Sequence, residues 1–119
     1  MTDKRVVLIT CSSEEEASRI ARALVAERLA ACVNILECPV RSIYRWKGRV
    51  ETAMEHLLII KTRRARLAAL EAAIKRLHSY DTPEVIALPI AAGSRRYLAW
   101  LDESVRPPAR PVPIRRARR

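Results

Sequence analysis

The sequence predicts an α+β fold in which helices cover one face of an antiparallel sheet. Three observations lead there. Apolar residues recur at helical spacing over residues 14–29 and again over 67–77, each stretch standing between strand-like runs. Between these two stretches the period changes to two over residues 32–62, which is strand spacing. A Lys47-Gly48 pair interrupts that long alternation and reads as a hairpin turn. The resulting order is β-α-β-β-α-β with one further helix.

Residues 5–11, RVVLITC, are apolar on both faces, as expected of a central strand. SSEEE follows and starts a helix. Ser12 with Glu15, or Ser13 with Glu16, makes a capping box, and the acids suit the positive helix end. Ala17, Ile20, Ala21, Leu24 and Val25 then mark its buried face.

From residue 32 Val33 and Ile35 alternate with Asn34 and Leu36, and after Pro39 the pattern resumes through Ile43, Tyr44 and Trp46. Proline has no N–H for a sheet ladder, so it marks a bulge or an edge. Residues 50–62 form the second arm, with Val50, Thr52, Met54, His56, Leu58 and Ile60 on one face. Glu51, Ala53, Glu55, Leu57, Ile59 and Lys61 take the other. Thr62 is the expected cap of the second helix, whose face carries Leu67, Leu70, Ile74 and Leu77. Residues 84–90 are the last strand, with Pro89 assigning it to an edge. Gly93-Ser94 stops it and caps a short helix bearing Tyr97, Leu98, Trp100 and Leu101. This is the split βαβ, or ferredoxin-like, order.

Of the 119 residues half are apolar, enough for one globular domain. No apolar run is long enough to cross a bilayer, and the N-terminus lacks the shape of a signal peptide, so a cytoplasmic location is expected. Three cysteines without a CxxC pair read as free thiols and not as a disulfide framework. The formal charge of +10 is unevenly distributed: residues 1–105 carry +4, whereas the tail 106–119, RPPARPVPIRRARR, carries +6 with four prolines. Such a tail favours extended backbone. It reads as a handle for nucleic acid or another acidic surface, as a solvated end, or as an arm on a neighbouring subunit. Tyr44, Trp46 and Met54 give the hairpin more apolar surface than one small sheet can bury, which predicts a homo-oligomer.

Three groups of residues offer chemistry. His78, Tyr80, Asp81 and Glu84 fall within seven positions and supply imidazole and carboxylate, or simply shape a turn. Cys11 stands where a strand meets a helix N-terminus, a setting that lowers a thiol pKa, while Cys32 opens a strand among small apolar residues. Lys61, Arg63, Arg64 and Arg66 oppose the dipole at the second helix start, a cost that an anionic ligand would relieve. His56 in mid-strand reads as a structural histidine. No nucleophile–base pair stands out, so an enzyme is not expected.

The blocks RVVLITCSSEEEASRIARALVAERLAACVNI, SIYRWKGRVE, LLIIKT, LHSYDTPEVIALPI and YLAWLDESV, in order over about residues 4–105, resemble the CutA family of divalent-cation tolerance proteins. The resemblance implies a ferredoxin-like homotrimer, assembled through its long hairpins and related in fold to the PII signalling proteins. It also implies a link with divalent metals, copper above all. In bacterial members a late first-strand cysteine and histidines before the Tyr-x-x-Pro-Glu block are associated with the metal. Here Ile9 takes that cysteine position, Cys11 lies two residues later, and only His78 remains of the histidines. The expected contacts for copper or another divalent cation are therefore His78, Cys11 and Cys32. The rival is a PII-like sensor that binds a small anion at clefts between subunits, lined by Lys61, Tyr80 and Glu84.

Overall fold

The computed structural model describes residues 2–107. Its elements are β1 (Lys4–Cys11), α1 (Glu14–Ala26), β2 (Cys32–Ile35), β3 (Val40–Trp46), β4 (Arg49–Arg63), α2 (Leu67–Leu77), β5 (Ile86–Pro89) and α3 (Arg95–Ser104). The sheet runs β2-β4-β1-β5, and β3 extends the hairpin beside the outer half of β4. Every pairing is antiparallel. Strand β1 is central and β5 is an edge, as expected; the basic tail beyond Pro107 lies outside the described residues.

Register explains the two faces. Val7 pairs with Ile60 and Ile9 with Leu58, and directly opposed residues share a face. These four are fully buried together with Ile20 and Leu24 of α1 and Leu70 and Ile74 of α2. Burying side chains of this size contributes about 1.5–3 kcal/mol each. The opposite face carries Val6, Leu8, Leu57 and Ile59, all only partly buried, and Ile86 and Leu88, each 46% exposed. Helix α3 covers one end of that face, where Asp102 meets Lys4 and Arg63. In its middle Val6, Leu8, Leu57, Ile59, Ile86 and Leu88 form an open apolar patch.

Local chemistry fixes the element ends. Ser13 caps α1, its Oγ accepting from the Glu16 N–H at 3.1 Å. After α1 the chain reverses through Arg28 at φ 58°, with Leu29 N–H donating to the Leu24 carbonyl and Arg28 N–H to that of Val25. That is a Schellman closure with arginine in the usual glycine position. Lys47 and Gly48, at φ 50° and 80°, form the two-residue turn between β3 and β4, where both positive angles suit the strand twist. Pro39 stands in the break between β2 and β3. Ser94 caps α3 by accepting from the Tyr97 N–H.

Thr62 does not cap α2. It continues the inward alternation of β4, is fully buried, and donates from its hydroxyl to the Leu29 carbonyl at 2.7 Å. The helix begins at Leu67 after a short 3-10 turn, Arg64–Arg66, and no side chain caps it.

Candidate metal centre and the neighbouring cleft

Three segments converge beneath the start of α1. Cys11 ends β1, Glu16 lies in the first turn of α1, and His78 follows α2 directly. All three are buried, and one ligand atom from each lies within 4.8 Å of the others. Among the described residues this is the one such group of three or more.

Hydrogen bonds define the imidazole. His78 Nε2 is 2.7 Å from the Thr10 carbonyl, so Nε2 carries the proton and donates. Nδ1 is then the lone-pair nitrogen; it accepts from the Tyr80 N–H at 3.1 Å and lies 3.9 Å from a Glu16 oxygen. An imidazole held through one N–H to a backbone carbonyl, with its other nitrogen near a carboxylate, is the orientation metal-binding histidines adopt.

In sequence, Glu16 reads as a capping residue and not as a metal contact. It accepts from the Ser79 N–H at 2.9 Å and weakly from the Ser12 N–H at 3.4 Å. Burial opposes its charge, but the Ser79 and Ser12 hydrogen bonds outweigh that and hold its carboxyl below the usual range. Its position four residues before Ile20 was the available signal, since that spacing sets it on the buried face of α1.

The Cys11 thiol departs from expectation. Burial first, then the charges of Glu16 and Glu55, push its pKa up to about 12 and overcome the helix terminus. It is a protonated thiol at neutral pH, and a metal would have to displace that proton.

Cys32 does not join the group. It pairs with Lys61, whereas Cys11 pairs with His56, and odd and even positions of β4 face opposite ways. Cys32 is therefore on the open face of the sheet. His56 Nδ1 bonds the Leu36 carbonyl, consistent with a structural role.

On the open face, next to Thr10, is a cleft of about 700 Å³ whose wall includes Tyr44, Trp46, Glu55, Tyr80, Asp81 and Glu84. Tyr80 donates from its hydroxyl to Glu55 at 2.9 Å. Burial and the Glu55 charge raise the Glu84 carboxyl above its ordinary range; burial and the bond to Glu55 raise the Tyr80 phenol. Lys61 is absent from this wall and instead donates to Asn34. Within one chain the structure thus brings Tyr80 and Glu84 together without Lys61. Among the described residues of one chain, three carboxylates and no lysine or arginine line the cleft.

These observations define a ferredoxin-like protein with a buried thiol–imidazole–carboxylate group. Residues 5–104 match the family described as CutA1 divalent ion tolerance protein, and the chain belongs to that family. A divalent-cation tolerance protein CutA from Thermus thermophilus is 54% identical over 85% of this chain and 97% of its own length. A chloroplastic CutA of rice is 50% identical over 85% of this chain, which spans 56% of that longer protein. Solved structures agree: a divalent cation tolerance protein of Thermus thermophilus has a TM-score of 0.83 at 53% identity, covering 85% of this chain and 97% of that one. The periplasmic divalent cation tolerance protein of Archaeoglobus fulgidus also has a TM-score of 0.83, at 43% identity, covering 87% and 99%.

Proposed function

We propose that this protein acts in divalent-cation tolerance as a non-enzymatic, trimeric protein of the cytosol that binds copper or another divalent cation at Cys11, Glu16 and His78. The observation that carries the reading is the convergence of three donor atoms within 4.8 Å. Thiolate, imidazole and carboxylate together suit copper and zinc better than magnesium or calcium.

Each residue has a part. Thr10 and Nε2 fix the ring so that Nδ1 supplies its lone pair. Glu16 offers negative charge already present at neutral pH. Cys11 gives the strongest bond once its proton leaves, so uptake is coupled to proton release. The Tyr80 N–H gives up its acceptor when Nδ1 turns to a metal. This couples the centre to the segment that lines the cleft.

Self-association is supported by the open sheet face. Ile86 and Leu88 stand half exposed there beside Leu57 and Ile59, and the hairpin adds the exposed Val50 and Met54. Contiguous apolar surface of this kind marks a contact between chains. The three free cysteines and the absence, among the described residues, of a helix long and apolar enough to cross a membrane are compatible with the cytosol.

The test is anaerobic calorimetric titration of the reduced protein at pH 7 in two buffers of different ionisation enthalpy. Binding of one metal per chain with release of about one proton is expected, since the thiol is protonated beforehand. Proton-neutral binding, or binding that survives Cys11→Ser unchanged, would overturn the assignment.

A further inference from the structure

The cleft beside the metal centre carries a surplus of negative charge on an aromatic wall. Glu55, Asp81 and Glu84 line it with Tyr44, Trp46 and Tyr80, and no cationic side chain of the same chain lines it. At its rim Lys47 already stands over the Trp46 ring, 5.9 Å from the centroid, so the ring face attracts a cation. Aromatic grooves with a few acids are suited to extended Pro- and Arg-rich peptide. The same chain supplies one: RPPARPVPIRRARR, residues 106–119, with six arginines, four prolines and no acid.

We propose that the segment 108–119 of one copy docks in the acidic aromatic cleft of a neighbouring copy. The arginines answer Glu55, Asp81 and Glu84, and the prolines lie against the aromatic rings.

The choice of a neighbouring copy follows from where the tail departs. Arg28 Nε donates to the Arg106 carbonyl at 2.6 Å, and Asp102 of α3 meets Arg63, so the tail leaves from the Arg63 end of β4. Glu55 lies eight residues away along the same strand, roughly 26 Å at strand spacing. The 12 residues after Pro107 span roughly 37 Å when extended, enough in length to reach it. A path within one chain, however, would lay arginines across the apolar face of Leu57 and Ile59, which the proposed assembly covers. The docking in trans rests on that assembly; the cleft's preference for the segment does not.

The experiment uses the full chain with Ile114 replaced by photoreactive benzoylphenylalanine, after nuclease treatment. Irradiation should give a covalent dimer on a denaturing gel, with the adduct on peptides containing residues 42–46 or 80–84. Pairing Asp81→Asn with Glu84→Gln should lower the dimer yield roughly fivefold, the effect of two partly exposed charge pairs, and 1 M salt should do likewise. Adducts within a single chain, on any other surface or on nucleic acid would overturn the proposal. Light scattering on the same sample reports the assembly separately, so an assembled protein without cleft adducts refutes the docking alone.

Discussion

Replacing Glu16 by glutamine tests the group that joins β1, α1 and the segment after α2. The carboxylate is 6% exposed and accepts one good hydrogen bond, from Ser79 at 2.9 Å, and one long one, from Ser12 at 3.4 Å. Glutamine keeps one acceptor oxygen but turns an NH₂ toward the other N–H, so one bond is lost and two donors face each other. Hydrogen bonds to a charged group contribute about 1.5–3 kcal/mol, and the expected loss is about 2 kcal/mol. That corresponds to a fall in Tm of roughly 8 °C for a chain of this size. The effect depends on pH in a defined direction. Because the folded carboxyl lies below its ordinary range, its contribution is complete above the unfolded value, near 4.3, and disappears as pH falls through the folded value. Urea denaturation at fixed protein concentration should therefore separate the two proteins clearly at pH 7 and less at pH 3. A difference under about 0.5 kcal/mol at pH 7, or one equally large at pH 3, would refute the assignment.

Further outcomes follow from individual contacts. Thr62→Val preserves the buried shape but strands the Leu29 carbonyl, so urea denaturation should show a loss of about 1 kcal/mol; an unchanged midpoint would contradict the 2.7 Å bond. Leu88→Asp introduces a charge on the open sheet face, and light scattering should find single chains whose circular dichroism is still native. Retention of the full assembly would exclude that face from the contact. Cys32→Ser should leave metal affinity unchanged, because Cys32 faces away from Cys11; a large loss in calorimetry would contradict the sheet register.

Much of the fold was legible because period, turn chemistry and breakers agreed. The alternation from Val50 to Lys61 assigned both faces of β4, Lys47-Gly48 located its turn, and Pro39 marked the break before β3. What escaped depended on contacts distant in sequence. Thr62 has the chemistry of a cap, yet its place in the inward alternation prevailed and its hydroxyl went to Leu29, 33 residues away. Cys11 does stand before a helix, but desolvation and two carboxylates outweighed the dipole. Whether Cys32 and Cys11 share a face is a question of parity across three strands, which only the register answers. Lys61 and Tyr80 are separated for a similar reason. Tyr80 follows α2 and reaches the Glu55 end of the open face, while Lys61 lies six residues further along β4 beside Asn34.

The most direct measurement is X-ray absorption at the zinc K-edge on protein loaded with one zinc per chain, alongside Cys11→Ser and Cys32→Ser. The account predicts one sulfur at about 2.3 Å with nitrogen and oxygen at about 2.0–2.1 Å, and loss of the sulfur in Cys11→Ser only. A shell of nitrogen and oxygen alone in the unaltered protein, or a sulfur that vanishes with Cys32→Ser, would contradict a metal centre at Cys11, Glu16 and His78.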